Sequence, residues 1–163
     1  MDIKKHITAL GFVPKNGTNG IYHKTYVDYA IEIDFERQNI NYGNSIIAES
    51  RTTQNFSQPE NFVVLECVDR LLIKGYKPQN IVLEKTWPSG HGTSGRLDIC
   101  VNREDGTPYM LIECKTYGKE YNKESAKIHK DGGQLFTYFQ LSGGKADVIM
   151  LYASELKGDK YIY

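Results

Sequence analysis

Two short apolar segments, each carrying ionisable residues at fixed positions, constrain this chain most. One is Arg96-Leu97-Asp98-Ile99-Cys100-Val101; the other runs from Tyr109 and ends in Ile112-Glu113-Cys114-Lys115. In extended chain, successive side chains alternate faces. Glu113 and Lys115 therefore point one way, while Ile112 and Cys114 enter the opposite layer. Leu97, Ile99 and Val101 share one face of their strand, and Asp98 takes the other. Glu104-Asp105-Gly106 between the segments is a good hairpin turn, and pairing the strands sets Asp98 beside Glu113. Two carboxylates that close repel strongly at low effective dielectric, an arrangement tolerated when a cation lies between them. All-oxygen ligands favour Mg²⁺ or Mn²⁺ over zinc. Lys115, one strand step from Glu113, is placed to orient a water or contact a phosphate. These residues suit metal-dependent phosphodiester hydrolysis. The plainer alternative is a surface hairpin with ordinary carboxylates, which the apolar flanks of both strands disfavour.

The remaining elements place this hairpin in an α/β layer fold with a mixed sheet. Residues 1–20 end in the turn-rich Pro14-Lys15-Asn16-Gly17-Thr18-Asn19-Gly20. Val27 to Phe35 alternates with period two, and Gln38-Asn39 turns it into a second strand near Ile40–Ala48, giving an N-terminal hairpin. Residues 49–59 read as a loop. A helix is expected from about Glu60 to Lys74, closed by Gly75, and then a strand over Ile81–Trp87. Pro88-Ser89-Gly90-His91-Gly92 reads as a loop before strands near Arg96–Val101 and Tyr109–Cys114. A helical region spans roughly Tyr121–Leu141, with Gly132-Gly133 as the point where it could break. Asp147–Tyr152 is a further strand.

Four further features bear on the candidate site. Glu66 is isolated in Phe62-Val63-Val64-Leu65-Glu66-Cys67-Val68; it is either the i,i+4 partner of Arg70 or an acid directed at the metal. Gln134 and Tyr138 are also i,i+4 and share a helix face. Lys119, Lys123, Lys127 and Lys130 recur at spacings that form one stripe on a helix, either a solvated charged face or a surface for a phosphate backbone. Ser89-Gly90-His91-Gly92-Thr93-Ser94-Gly95 permits close backbone approach to a ligand but is no phosphate-cradling P-loop. His91 has no partner at metal-ligand spacing.

Composition limits the alternatives. The chain of 163 residues balances Lys+Arg and Asp+Glu at 20 each, without the basic excess of a protein that coats nucleic acid. A nuclease remains compatible, because an acidic metal site offsets part of a basic footprint. The 3 cysteines, Cys67, Cys100 and Cys114, lie in apolar runs without zinc-ligand spacing. Their odd number points to a reducing cytoplasm. No apolar run is long enough to span a membrane, and no signal peptide is seen.

With Glu66, Asp98, Glu113-Cys114-Lys115 and Gln134-x-x-x-Tyr138 in this order, the chain resembles the PD-(D/E)XK nuclease superfamily. It is most similar to the N-terminal nuclease domain of type I restriction enzyme R subunits, and to enzymes that fuse this nuclease to a methyltransferase. Pro59-Glu60-Asn61-Phe62-Val63-Val64-Leu65-Glu66, Ile112–Thr116 and Gly133–Tyr138 carry the likeness. It covers about residues 59–153 of a single nuclease domain over 1–163, with 1–58 as a hairpin-and-loop addition. Gly95-Arg96 stands where a proline often precedes the Asp.

The resemblance implies an α/β restriction-endonuclease-like core, a mixed central β-sheet flanked by helices, with an N-terminal β-hairpin added. It implies that Asp98, Glu113 and Lys115 are catalytic. Glu66, Asp98, Glu113 and the backbone carbonyl of Cys114 would hold Mg²⁺, with Mn²⁺ able to substitute. Gln134 and Tyr138 would contact DNA or brace the site, with Lys119, Lys123 and Lys127 on the DNA side. The expected substrate is double-stranded DNA, and the expected partners are methyltransferase and specificity subunits or domains of a longer assembly. ATP would act only through domains absent from this chain. Competing readings are a recombination or repair nuclease of the QxxxY type and a catalytically inactive nuclease-fold DNA-binding module.

Overall fold

The computed structural model describes residues 2–87 and 95–163. The expected loop at 88–94, with His91, lies outside the described residues. The central element is helix α2 (Glu60–Ile73), where the sequence after Pro59 is mostly apolar, broken by Glu66, Asp69 and Arg70. Glu60 in its first turn complements the positive end of the helix dipole. The helix is apolar around most of its circumference, with Phe62, Val64, Leu65, Val68 and Leu71 all buried, as a helix covered on more than one side must be.

Five strands form the main sheet in the order β5-β6-β7-β8-β9: β5 (Ile47–Ala48), β6 (Ile81–Thr86), β7 (Arg96–Asn102), β8 (Pro108–Cys114) and β9 (Val148–Tyr152). The sheet is mixed: β5 and β9 lie parallel to their neighbours, whereas β6, β7 and β8 are antiparallel. One face packs on α2 through Leu83, Ile99, Val101, Ile112 and Cys114. The other face carries Val82, Leu97, Cys100 and Leu111 against Leu135 and Tyr138. Those last two residues belong to helix α4 (Gly133–Leu141), which follows α3 (Lys119–Asp131). The break between α3 and α4 falls at Gly132, whose φ of 82° caps α3 in the left-handed region. The result is a mixed α/β restriction-endonuclease-like core.

The N-terminal region is larger than a hairpin. Helix α1 (Ile3–Ala9) precedes a four-stranded antiparallel sheet of β1 (Val13–Pro14), β2 (Ile21–Tyr26), β3 (Tyr29–Asp34) and β4 (Asn39–Asn41). Val27 and Asp28 form the β2–β3 turn instead of opening a strand, and Val27 is 98% exposed. The expected partner strand at Ile40–Ala48 divides: its start is β4 in the N-terminal sheet, and Ile47–Ala48 crosses to the main sheet as β5. Ile31, Ile33 and Ile40 belong to the same core cluster as α2 and the main sheet. A C-terminal hairpin, β10 (Glu155–Lys157) with β11 (Lys160–Ile162), completes the chain beyond the expected elements.

The alternation expected along β7 holds for Ile99 and Val101 but not for Leu97, which packs with Cys100 and Leu111 on the opposite face. The irregularity coincides with one on β6. Glu84 has φ 57°, a left-handed conformation rare outside glycine. The β6–β7 ladder passes from Leu83↔Ile99 to Lys85↔Leu97 without a Glu84–Asp98 pair.

Candidate active site

The ends of β7, β8 and α2 meet at one point. The β7–β8 register through Ile99↔Ile112 brings Asp98 next to Glu113, and the Cys114 backbone N–H donates to Asp98 Oδ2 at 2.7 Å. Lys115 follows the end of β8. Its Nζ donates to Glu113 Oε1 at 2.8 Å, to the Cys114 carbonyl at 3.0 Å and to Glu60 Oε1 at 3.3 Å. Glu113 Oε2 is buried with no hydrogen-bond partner.

The electrostatics follow from this crowding. Burial, and then the charge of Glu113, lift the Asp98 carboxyl well above the usual range, against the pull of the Cys114 N–H and Lys115. Burial likewise raises Glu113; Lys115 opposes this, and the charges of Glu60 and Glu124 add to it. Burial alone would depress Lys115, but Glu113, Asp98 and Glu60 together push it above its ordinary value. The ammonium is thus the counter-ion of a buried acidic group. Hydrogen-bonded carboxylates in low dielectric demand such a charge.

Beside this group opens a cleft of about 500 Å³, lined among others by Glu60, Glu84, Arg96, Asp98, Thr116 and Glu120. Its lining includes Thr52 and Thr53, from the loop between β5 and α2. Thr52 Oγ1 donates to Glu84 Oε2 at 2.7 Å, and Arg96 Nε lies 2.7 Å from the same oxygen.

Asp98, Glu113, the Cys114 carbonyl and Lys115 are therefore brought together as the sequence suggested. Glu66 is not in this group. Its Oε2 accepts from Tyr152 Oη at 2.5 Å and its Oε1 from Arg70 Nε at 3.4 Å, so the i,i+4 pairing accounts for it. Six residues at 3.6 per turn rotate Glu66 roughly 240° around α2 from Glu60, and Glu60 is the acid that reaches Lys115. The signal for Glu60 was its place directly after Pro59, where an acid also serves the helix dipole. Glu84 and Arg96 were missed as well; an isolated acid inside the apolar Ile81–Leu83 strand was the available sign.

Tyr138 is buried, and its Oη donates to the Arg96 carbonyl at 2.9 Å. Its ring stacks on Trp87, with centroids 6.1 Å apart. Burial, with the charges of Glu113 and Asp98, pushes its hydroxyl up to about 12. Tyr138 braces the start of β7. Gln134, one turn earlier, is exposed. Lys119, Lys123 and Lys127 lie exposed along α3, with Lys123 3.9 Å from Glu120 and Lys127 2.8 Å from the buried Glu124. The stripe is thus partly neutralised by acids of its own helix.

A mixed sheet flanked by helices, with an acid pair and a lysine at the ends of two adjacent antiparallel strands, defines a restriction-endonuclease-like domain. The chain belongs to the family of the type I restriction enzyme R protein N terminus, whose sequence pattern matches residues 59–147. No curated protein matches the chain. The family points to the nuclease domain of a restriction system and to a DNA substrate. Among the described residues, no helix is long and apolar enough to cross a membrane.

Proposed function

We propose that this chain is a Mg²⁺-dependent endodeoxyribonuclease domain of a type I-like restriction–modification system, hydrolysing phosphodiester bonds of double-stranded DNA. The observation that carries the reading is the buried, unpartnered Glu113 Oε2, set beside Asp98 and Lys115. A buried carboxylate oxygen without a donor is costly, and a hard divalent cation is the ligand that such an oxygen suits. Among the described residues no three His, Cys, Asp or Glu side chains converge to hold an ion. The donors would be Asp98, Glu113 and the Cys114 carbonyl, with Glu60 at the rim and water or phosphate completing the shell. The bound ion would supply Lewis acidity and a more acidic water. Lys115, poised between Glu113 and Glu60, would orient the attacking water or hold the scissile phosphate. Tyr138 keeps β7, and with it Asp98, in place. Methyltransferase and specificity subunits or domains would supply target recognition, and ATP would act only through further domains outside this chain.

The test is incubation of the purified chain with supercoiled plasmid and Mg²⁺ or Mn²⁺, beside Asp98→Ala and Lys115→Ala. Wild type is expected to nick or linearise the plasmid only with metal, and both variants to lose at least about a hundredfold in rate. Calorimetry is expected to show Mn²⁺ binding to wild type that Asp98→Ala abolishes. Equal cleavage by all three proteins, or Mn²⁺ binding unaffected by Asp98→Ala, would overturn the assignment.

A further inference from the structure

We propose that Arg96, oriented by Glu84, is a DNA-phosphate contact of the cleft; this rests on the nuclease reading. Four carboxylates, from Glu60, Glu84, Asp98 and Glu120, line the cleft, and among the described lining residues Arg96 is the one cation. A phosphodiester backbone entering such a space meets repulsion from these acids, which Lys115, already engaged by Glu113 and Glu60, offsets only in part. Arg96 precedes Asp98 by two residues on β7, and both line the same cleft. Its side chain is 48% exposed, whereas that of Glu84 is 3% exposed. The pair is therefore asymmetric, with an anchored carboxylate below and a guanidinium facing the cleft.

One contact grips that guanidinium, and two more hold its partner and its backbone. Its Nε is held by Glu84 Oε2 at 2.7 Å, Glu84 is itself held by the Thr52 hydroxyl, and the Arg96 carbonyl accepts from Tyr138. A guanidinium presents five N–H donors in a rigid plane, so a carboxylate gripping Nε orients the fork. Glu84 takes φ 57° within a strand. Strained backbone of this kind persists where the surroundings enforce it and concentrates at binding and catalytic sites. A pair serving only to neutralise a buried acid would not require the cation to open onto the cleft, nor a main-chain distortion to place the acid. Thr52 also connects the contact to the N-terminal region, which thereby helps to set where DNA lies.

The experiment measures anisotropy of a fluorescent DNA duplex with the full chain, Ca²⁺ being the divalent ion, over a salt series, alongside thermal melting. R96A is expected to weaken binding by about tenfold or more and to reduce the slope of log affinity against log salt by about one. R96K is expected to keep the slope but not the affinity, because lysine lacks the planar fork. E84Q is expected to keep the slope and weaken binding severalfold. R96A with wild-type affinity and slope, whatever its melting temperature, would overturn the inference and leave a structural ion pair. Should R96A fail to fold, R96K decides: affinity equal to wild type overturns the proposal, and reduced affinity at unchanged slope supports it. A wild-type chain that neither binds the duplex nor cuts plasmid would overturn the nuclease reading itself, an outcome distinct from all of these.

Discussion

Glu60 and Glu66 are carboxylates on one helix with different surroundings, and the difference is measurable. Glu60 touches Lys115 at the mouth of the cleft, whereas Glu66 is enclosed by Tyr152 and Arg70. Glu60→Gln is expected to lower Mn²⁺ affinity and plasmid nicking by about tenfold, while Glu66→Gln leaves Mn²⁺ affinity unchanged; calorimetry on both variants checks this, and a reversed order sinks the placement. Glu66 has a separate signature. Burial raises its carboxyl above the ordinary 4.5, although Tyr152 and Arg70 pull it back. The folded state then holds that proton more tightly than the unfolded chain does. The associated stability is full below the unfolded value and is lost as pH rises through the higher folded value. Glu66→Gln removes this dependence while keeping an oxygen for Tyr152. Its melting temperature is therefore expected to fall less than that of wild type as pH is raised from about 4 towards neutrality. Parallel melting curves against pH would exclude the mechanism.

At the scale of elements, the start of β7 is locked by α4. A Cβ on Gly95 would lie 2.4 Å from Tyr138 Cε1, so no side chain fits without moving the tyrosine. Gly95→Ala is expected to destabilise the chain by about 1–3 kcal/mol, as overpacking does. Tyr138→Leu should cost a similar amount through the lost Arg96 carbonyl bond and the Trp87 stack. If the clash is the cause, the double variant is less destabilised than the sum of the two, a coupling that denaturant melts would measure. Additive losses would exclude it. The β7–β8 hairpin, α2, and the α3–α4 break were all legible in the sequence because each is set by local rules: period-two patterning, a Gly-terminated apolar run, a glycine pair. Asp98, Glu113 and Lys115 were legible for the same reason, since strand alternation alone puts Glu113 and Lys115 together. The N-terminal strands were misplaced because Val27-Asp28 carries no glycine or proline to mark its turn, while its neighbours keep the alternation running across it. Which acid of α2 serves the site depends on how the helix is rotated against β8. That rotation is fixed by packing on two faces and is not written in the helix. The left-handed Glu84, which coincides with the break in alternation at Leu97, is likewise a tertiary effect with no glycine to announce it.

For the molecule as a whole, the balanced net charge and the acidic cleft leave little long-range attraction for DNA, so under the proposed nuclease function binding would rest on a few placed cations and on partners. The N-terminal region bears on this because it is built into the core instead of hanging from it. Ile31, Ile33 and Ile40 are 0% exposed in the cluster that includes α2. Lys24 pairs with the buried Asp69 of α2 at 2.6 Å. Asn61 at the start of α2 donates to the carbonyls of Thr52 and Asn55 at 2.8 and 2.9 Å. Each buried isoleucine contributes about 1.5–3 kcal/mol, and a domain's net stability is only about 5–15 kcal/mol. Removing residues 1–58 therefore deletes a large share of that margin, uncovers one side of α2, and strips Asp69 of both Lys24 and Tyr26. The fragment 59–163 is expected to bind a hydrophobic dye, to lose near-ultraviolet circular dichroism and to melt without a cooperative transition, whereas the full chain unfolds in one step. A fragment that melts cooperatively and still binds Mn²⁺ would show that the family-matched core stands alone. In that case the N-terminal sheet would act on the cleft only through Thr52 and its neighbours.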